Sequence, residues 1–429
     1  MSHGAPAGDG APDGHGAPDG HSIPGGHSTH AGGGTPSRVY LRQFDLYRVV
    51  AFVCVIAQHA VLWPVPGGSE IGWSLVMVLH ATREVFFFLS ALVAGYSQLS
   101  RRRPVVRLWV RRLGVVLVPY LAWTGIYFAY TLASSTQPVT ARATIVHDLL
   151  NGYFQLYYLV VLFQFYVVLP GLVWLVRRTR GHHGVVLGVS LVLQLAMMTV
   201  SHYFFWHTGS LHALRALDLR IITPRYVTSY QLYFVSGVLA ADHLGELQQL
   251  VERHSARILW GVLAVGVATE GYYAFGLEIG NTPGHASDLF QPVAVVWFLA
   301  ACAGLWALGS RWADRAAARA PTAADRLVTW GADASGGFYL AHVLVLQLIF
   351  TGLSHAGLTQ PGTWGAASAV LFVGTLLVTG VLVALVLRTP LRTVLAGPDR
   401  RKERAAYPVY PARARPRAMA EAIAPAITR

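Results

Sequence analysis

Charged residues are scarce in this sequence of 429 residues, where Asp, Glu, Lys and Arg together account for 12%. A soluble domain carries about 25%. Hydrophobic residues make up 54% of the chain, and they recur in apolar runs near the length of about 20 residues that crosses a bilayer. The composition excludes an ordinary soluble enzyme and is typical of a polytopic helical membrane protein.

Cysteine is almost absent, since Cys54 and Cys302 are the two cysteines of the chain. Both lie inside apolar runs, so we interpret them as small buried apolar residues and exclude a disulfide framework. The N-terminus also lacks the basic region and apolar core of a signal peptide.

Acidic residues are few, with 20 against 33 Lys and Arg, which gives a formal net charge of +13. Such a charge can indicate a nucleic-acid partner. The basic residues lie in loops between apolar runs, however, and no basic face accompanies a soluble domain, so we predict no nucleic-acid binding.

Ten apolar segments have about the length needed to cross a membrane. They cover approximately 44–63, 71–97, 113–132, 154–176, 184–206, 226–242, 257–276, 288–308, 336–356 and 364–387. We therefore predict an all-α polytopic membrane protein with about ten transmembrane helices.

Two polar segments flank this region. Residues 1–37 repeat Gly, His, Ala and Pro and cannot bury enough apolar surface to fold, so we predict a disordered cytoplasmic tail whose histidines could bind a metal weakly. Residues 38–390 form the predicted membrane domain, without a predicted metal site. Residues 391–429 are basic and rich in Pro and Ala, which predicts a second disordered tail that sets topology or rests on anionic membrane lipid.

The distribution of arginines between the loops predicts the orientation of the protein in the membrane. If the N-terminus lies inside, the loops on that side carry most of the arginines, whereas the opposite side holds Arg142, Arg215, Arg220 and Arg225. By the positive-inside rule, both termini are predicted to be cytoplasmic, in a multi-pass protein of the cell membrane.

The first span carries two ionisable residues, Arg48 and His59. Eleven residues amount to about three turns, so the two side chains share one stripe of the helix, roughly 16 Å apart along its axis. Asp45 precedes Arg48 by three residues and can pair with it. Ionisable groups inside a span usually face a protein interior or a wet cavity, so we predict a pore wall. A positive-inside anchor at Arg48 and a structural histidine at His59 are the alternatives.

The second span contains His80, Arg83 and Glu84, which a helical spacing of three and four would place on one face. Their predicted depth is comparable to that of His59. They either line the pore or form a structural ion pair inside the membrane.

Two further groups are candidates. Arg107, Arg111 and Arg112 belong to a cluster that precedes the third span, and guanidinium groups suit phosphate oxygens, although any cytoplasmic loop carries such residues. Tyr339 and His342 share a stripe of the ninth span with Ser335, and they predict either pore lining or a hydrogen-bonded helix contact.

Several motifs together resemble the integral-membrane acyltransferase 3 family. They are Leu41-Arg-Gln-Phe-Asp-Leu-Tyr-Arg48 through His59, Phe86-Phe-Phe-Leu-Ser90, the arginines before Pro119-Tyr120, Tyr157 to Tyr166 with Pro170, and Tyr339-Leu-Ala-His342. The resemblance implies a ten-helix fold, acyl-CoA, most commonly acetyl-CoA, as a donor from the cytoplasm, and a glycan or small-molecule hydroxyl as the acceptor. It implies an essential Arg48, a catalytic His59 and donor-binding arginines, for which Arg107, Arg111 and Arg112 are the candidates.

The mechanistic hypothesis is direct transfer of the acyl group, without a permanently bound cofactor. His59 would remove the proton from the acceptor hydroxyl, while Glu84 or Arg83 orients His59 or the acceptor. A transporter of a polar or lipid-linked molecule would show similar buried charges, and a membrane sensor with a metal-binding tail is a third possibility.

Overall fold

A computed structural model describes residues 40–99, 104–135, 140–205 and 224–397, and within these ranges the chain forms fourteen α-helices, short 3-10 and π turns and no β-strand. The helices are α1 (Gln43–Leu62), α2 (Glu70–Leu79), α3 (Thr82–Leu99), α4 (Val105–Ser134), α5 (Ala141–Asn151), α6 (Tyr157–Arg178), α7 (His183–Thr199), α8 (Gln231–Asp242), α9 (Leu244–Glu278), α10 (Pro283–Ala286), α11 (Pro292–Ala317), α12 (Ala323–His355), α13 (Trp364–Val386) and α14 (Arg392–Leu395).

Nine helical segments of the described chain are long and apolar enough to cross a membrane. They are Gln43–Leu62, Glu70–Leu99, Val105–Ser134, Ala141–Arg178, His183–Tyr203, Leu244–Glu278, Pro292–Ala317, Ala323–His355 and Pro361–Val386. Large apolar side chains such as Trp260 and Val267 on α9 and Leu377 on α13 are exposed on the outside of the bundle, where lipid would cover them. The predicted all-α polytopic membrane fold is confirmed.

The segment 226–242, predicted as the sixth span, is shorter than expected. It forms a 3-10 turn, Val227–Tyr230, and the 12-residue helix α8. At 1.5 Å per residue, α8 is roughly 18 Å long, well short of a hydrocarbon core of about 30 Å.

Helix α8 lies inside the protein, with apolar residues buried on all its sides. It packs closely on α3, because Gly237 brings the two backbones together. A Cβ at Gly237 would lie 2.5 Å from the carbonyl oxygen of Phe88. An all-round apolar helix is expected in a buried position, and this explains why its sequence resembles a span.

The second span is broken between α2 and α3, at His80 and Ala81. The indole of Trp297 on α11 donates to the carbonyl of Val78, 3.0 Å away, and so holds the end of α2. His80 and Arg83 therefore belong to different helices, which differs from the single helical face predicted from their spacing.

Helix α1 occupies a central position, in contact with α2, α3, α11, α12 and α13. Because other helices surround α1 on several sides, its polar residues face protein. Phe44 and Tyr47 are fully buried there, and the ring of Phe44 lies 5.3 Å from that of Trp306 on α11.

The residues directly after the last span are folded against the bundle. The indole of Trp123 on α4 donates to the carbonyl of Leu395 over 3.0 Å, and a Cβ at Gly336 on α12 would lie 2.6 Å from the carbonyl oxygen of Ala396. Residues 391–397, predicted to belong to a disordered tail, thus pack between α4 and α12. The predicted tails at 1–37 and 398–429 lie outside the described residues.

Candidate functional site

A cavity of about 1230 Å³ lies among α1, α3, α4, α6 and α12. One stripe of α1 contributes Phe44, Arg48, Val55, His59 and Leu62 to its lining. These positions are separated by three, four or seven residues, which keeps them on one side of a helix. Arg48 and His59 therefore line the same cavity, in agreement with the stripe drawn from their eleven-residue spacing.

The lining carries a strong excess of positive charge. Six arginines reach it, against one acidic side chain among the described residues. Four of them, Arg48, Arg107, Arg111 and Arg112, form what we call the arginine end. His59, His80, Arg83 and Asp288 form the opposite group, the histidine end.

At the arginine end, Arg48 is 9% exposed and held by its own helix. Its guanidinium donates to the carbonyl of Phe44 over 3.3 Å and lies 3.4 Å from the carboxylate of Asp45. Asp45 is buried behind it and also accepts a hydrogen bond from the hydroxyl of Tyr40. Asp45 was predicted to line the pore. In the structure it does not line the cavity but holds the guanidinium of Arg48 in position.

The three arginines of α4 also reach the cavity. The indole of Trp109 donates to the carbonyl of Tyr166 over 3.0 Å and ties α4 to α6, and the guanidinium of Arg112 lies 6.0 Å from the centre of the Tyr166 ring. Neither Arg107 nor Arg111 forms an ion pair with a described residue. Exposed, unpaired guanidinium groups at a cavity mouth are suited to phosphate oxygens.

At the histidine end, the imidazole of His59 is packed between two rings. The ring of His342 is stacked on it at 5.5 Å, and the ring of Phe154 lies 5.3 Å away. The Nδ1 atom of His59 is buried and has no hydrogen-bond partner among the described residues.

Phe154 holds this position at a cost in backbone geometry. Its φ is 25°, a left-handed conformation that is uncommon outside glycine. Such strain persists where the surrounding structure fixes it, and it occurs often at functional sites. The Phe154 ring is also stacked on Trp63 at 5.5 Å, so it closes the wall beside His59.

His80 lines the cavity with both ring nitrogens engaged. Its Nδ1 lies 3.1 Å from the carbonyl of Val76, and because a carbonyl can only accept, this nitrogen donates. Its Nε2 then accepts from the amide of Gln58 at 2.9 Å. His80 thereby positions Gln58, one residue before His59.

Arg83 lines the cavity, and Glu84 lies behind it. The two form an ion pair in which the Nε of Arg83 donates to Glu84 over 2.9 Å. The guanidinium also donates to the hydroxyl of Tyr157 over 3.1 Å and lies over the ring of Tyr230 at 4.8 Å. Glu84, predicted as a catalytic residue, is 1% exposed and does not line the cavity.

Tyr339 and His342 are separated by the cavity wall. Tyr339 lines the cavity and its hydroxyl donates to the carbonyl of Gln155. His342 lies behind His59, where its Nδ1 is 2.9 Å from the carbonyl of Phe338 and 2.8 Å from that of Tyr339. His342 was predicted to line the pore, but it lies behind His59 and does not line the cavity.

Asp288 is a lining residue that no sequence pattern indicated. It precedes α11 and accepts from the imidazole of His202 at 3.2 Å and from the backbone N–H of Phe290 at 3.3 Å. Burial raises the pKa of Asp288, but the hydrogen bonds from His202 and the backbone outweigh it and lower the pKa below its ordinary value. The histidine end therefore holds one carboxylate, which is ionised at neutral pH.

The comparisons with known proteins place the whole bundle in one family. A family model described as an acyltransferase domain, that of the acyltransferase 3 family, matches residues 41–388. A search of curated proteins and a search of solved structures found no match. The matched range contains all the cavity residues except Tyr40, Thr393 and Gly397. The chain belongs to the acyltransferase 3 family and is a multi-pass membrane acyltransferase.

Proposed function

We propose that the protein is an O-acyltransferase that moves an acyl group, by default acetyl, from acyl-CoA to a hydroxyl of a glycan or small molecule. One observation carries the proposal. A single cavity has arginines at one end, of which Arg107 and Arg111 form no ion pair with a described residue, and the His59 imidazole at the other. A phosphate-bearing thioester needs both features, since its charged and reacting parts are far apart.

The donor would bind with its phosphates at the arginine end. Arg107 and Arg111 offer planar guanidinium forks to phosphate oxygens, and Arg112 and Arg48 line the same cavity. The pantetheine arm would then follow the α1 stripe from Arg48 to His59, roughly 16 Å along the helix axis. The thioester would then lie next to the imidazole. With the orientation predicted from arginine, the donor enters from the cytoplasm.

His59 would act as the general base. It takes the proton from the acceptor hydroxyl while that oxygen attacks the thioester carbonyl carbon. The C–S bond then breaks, the acyl ester is formed, and the CoA thiolate takes the proton back from the imidazolium. Gln58, positioned by His80, and Arg83, fixed by Glu84 and Tyr157, line the same cavity and would orient the reacting groups.

The acceptor would occupy the histidine end. Arg83 and Asp288 border the cavity there, and a guanidinium and a carboxylate together can donate hydrogen bonds to hydroxyl groups and accept them. A glycan or a polyhydroxylated small molecule fits this chemistry better than an apolar acceptor.

The test is a comparison of cells that make the wild-type protein, His59→Ala or the control His355→Ala, whose side chain is exposed at the end of α12. Mass spectrometry of surface glycans and secreted metabolites is expected to show a gain of one acyl unit with the wild type and the control. His59→Ala is expected to give no gain at an equal protein level. Acylation retained by His59→Ala would overturn the proposal.

Transport is the second candidate, because the broken α2–α3 span next to the cavity resembles the discontinuous helices of transporters. Reconstituted protein separates the two. Movement of a polar solute across proteoliposomes without acyl-CoA would favour transport, whereas acyl-CoA consumption that depends on an added hydroxyl acceptor favours transfer.

A further inference from the structure

A second cluster of ligating side chains lies away from the cavity. His183 begins α7, Asp242 ends α8, and His243 joins α8 to α9. One nitrogen or oxygen atom from each of these residues lies within 4.8 Å of the other two. None of the three lines the cavity, so the proposed acyl transfer leaves the cluster unexplained.

The hydrogen bonds fix the tautomers of both imidazoles. The Nε2 of His183 lies 2.8 Å from the carbonyl of Val176, which can only accept, so this nitrogen carries the proton. The Nδ1 of His243 lies 3.0 Å from the carboxylate of Glu246, so it also carries the proton. In the neutral rings, the remaining nitrogens are lone-pair acceptors.

The two acceptor nitrogens lie next to each other. The Nδ1 of His183 is 2.7 Å from the Nε2 of His243. Two acceptors at that distance repel, and a positive charge between them removes the conflict. Asp242 adds a carboxylate oxygen 4.0 Å from the same nitrogen of His183.

We propose that His183, His243 and Asp242 bind a divalent transition metal ion of the zinc class. Ligating histidines usually donate their second ring N–H to a carbonyl or carboxylate, as Val176 and Glu246 provide here. The carboxylates of Asp242 and Glu246 offset the charge of the ion. A water molecule would complete four ligands.

The geometry needs only small side-chain movements. Tetrahedral zinc with bonds of about 2.0–2.1 Å separates its ligand atoms by roughly 3.3 Å. The two imidazole nitrogens are 2.7 Å apart, closer than this, and the Asp242 oxygen is 4.0 Å from the His183 nitrogen, farther than this. All three ligand atoms lie within 4.8 Å of one another. The side chains of His183 and His243 are 12% and 38% exposed, so the cluster is partly buried yet reachable from water.

The metal would be structural. It would join the turn between α6 and α7 to the junction of α8 and α9, which are separate in sequence. Helix α8 begins directly after Tyr230, whose ring lies against Arg83 of the cavity. Holding the far end of α8 would therefore stabilise the wall that carries Arg83.

The experiment uses the full-length protein, freed of metal with a chelator and titrated with Zn²⁺. We expect the Tm of the wild type to rise by about 5 °C at a Zn²⁺ concentration far above Kd. The rise should be lost in His183→Ala and in His243→Ala. It should persist in His182→Ala, a matched control in which the exposed neighbouring histidine is removed. The N-terminal histidines are present in every variant, so any effect of Zn²⁺ bound to them is the same in all the Tm values compared.

Co²⁺ gives the second measurement. His243→Cys replaces a nitrogen ligand by a thiolate, and a thiolate-to-cobalt charge-transfer band is expected in this variant alone. This variant keeps the test decisive if the alanine variants fold poorly. The proposal would be overturned if Zn²⁺ left the Tm of the wild type unchanged, if it raised the Tm of His183→Ala equally, or if the cobalt–thiolate band were missing. In that case the two rings share a proton instead.

Discussion

The imidazoles of His59 and His342 are stacked, with ring centres 5.5 Å apart and planes inclined by 17°. His342 donates from Nδ1 to two backbone carbonyls of its own helix, so its orientation is fixed by α12. His342 thus supports one face of His59 without reaching the cavity. In the proposed reaction it is a positioning residue.

His342→Phe tests this role. Phenylalanine keeps the stacked ring but loses the hydrogen bonds that hold it, so we expect kcat to fall by about tenfold while KM for acyl-CoA stays unchanged. Steady-state kinetics with purified protein measures both constants. The deletion His342→Ala should also lower the Tm, since it opens a cavity behind His59. A larger KM with an unchanged kcat would contradict the positioning role.

Arg107→Ala and Arg111→Ala test the donor site. Each removes from the arginine end a guanidinium that no described residue pairs with, so we expect KM for acyl-CoA to rise by roughly tenfold with little change in kcat. Raising the salt concentration should weaken donor binding in the wild type more than in either variant. The matched control is Arg142→Ala, an exposed arginine outside the cavity lining. Equal KM values in the variants and the wild type would reject these two ligands.

Gly336→Ala tests the folded segment 391–397. Its new Cβ would collide with the carbonyl oxygen of Ala396, and this displaces Thr393 and Gly397, which line the cavity. We expect a weaker binding of acyl-CoA, measured by isothermal titration. Gly352→Ala on the same helix is the control, because nothing lies within 4 Å of its added carbon. Identical affinities in the two variants would show that the segment does not shape the donor site.

Asp288→Asn tests the carboxylate at the histidine end. The folded-state pKa of Asp288 is lower than its ordinary value near 3.9, so its ionised form stabilises the fold at neutral pH. That contribution is lost as pH falls below about 4 and through the folded-state pKa. We expect the wild-type Tm to drop more steeply over this acidic range than the Tm of Asp288→Asn. Parallel Tm profiles of the two proteins would contradict the lowered pKa.

The arrangement along α1 was predictable because helix geometry alone relates Arg48 to His59. The position of Glu84 outside the cavity lining was not predicted. One residue step turns a helix by about 100°, so Arg83 and Glu84 leave the helix in different directions. The break at His80 depends on contacts such as Trp297 with Val78, and these come from α11.

Contacts between distant segments explain the other missed residues. Asp288 reaches the cavity because His202, 86 residues earlier, lies against it. The histidines of the proposed metal site are 60 residues apart and show no ligand spacing in the sequence. Hydrophobic periodicity carries no information on such contacts between distant segments, whereas the all-helical fold and the order of the nine long apolar segments follow from it directly.

The short helix α8 has a consequence for how the protein is made. A 12-residue segment enclosed by other helices gains little from contact with lipid, so it cannot partition into the bilayer by itself in the way that longer spans do. Its burial has to wait until α3 is in place to receive Gly237 against the Phe88 backbone. A larger side chain at Gly237 would therefore act late in biogenesis, giving chains that reach the membrane with their long helices inserted but remain unassembled and open to quality-control proteases.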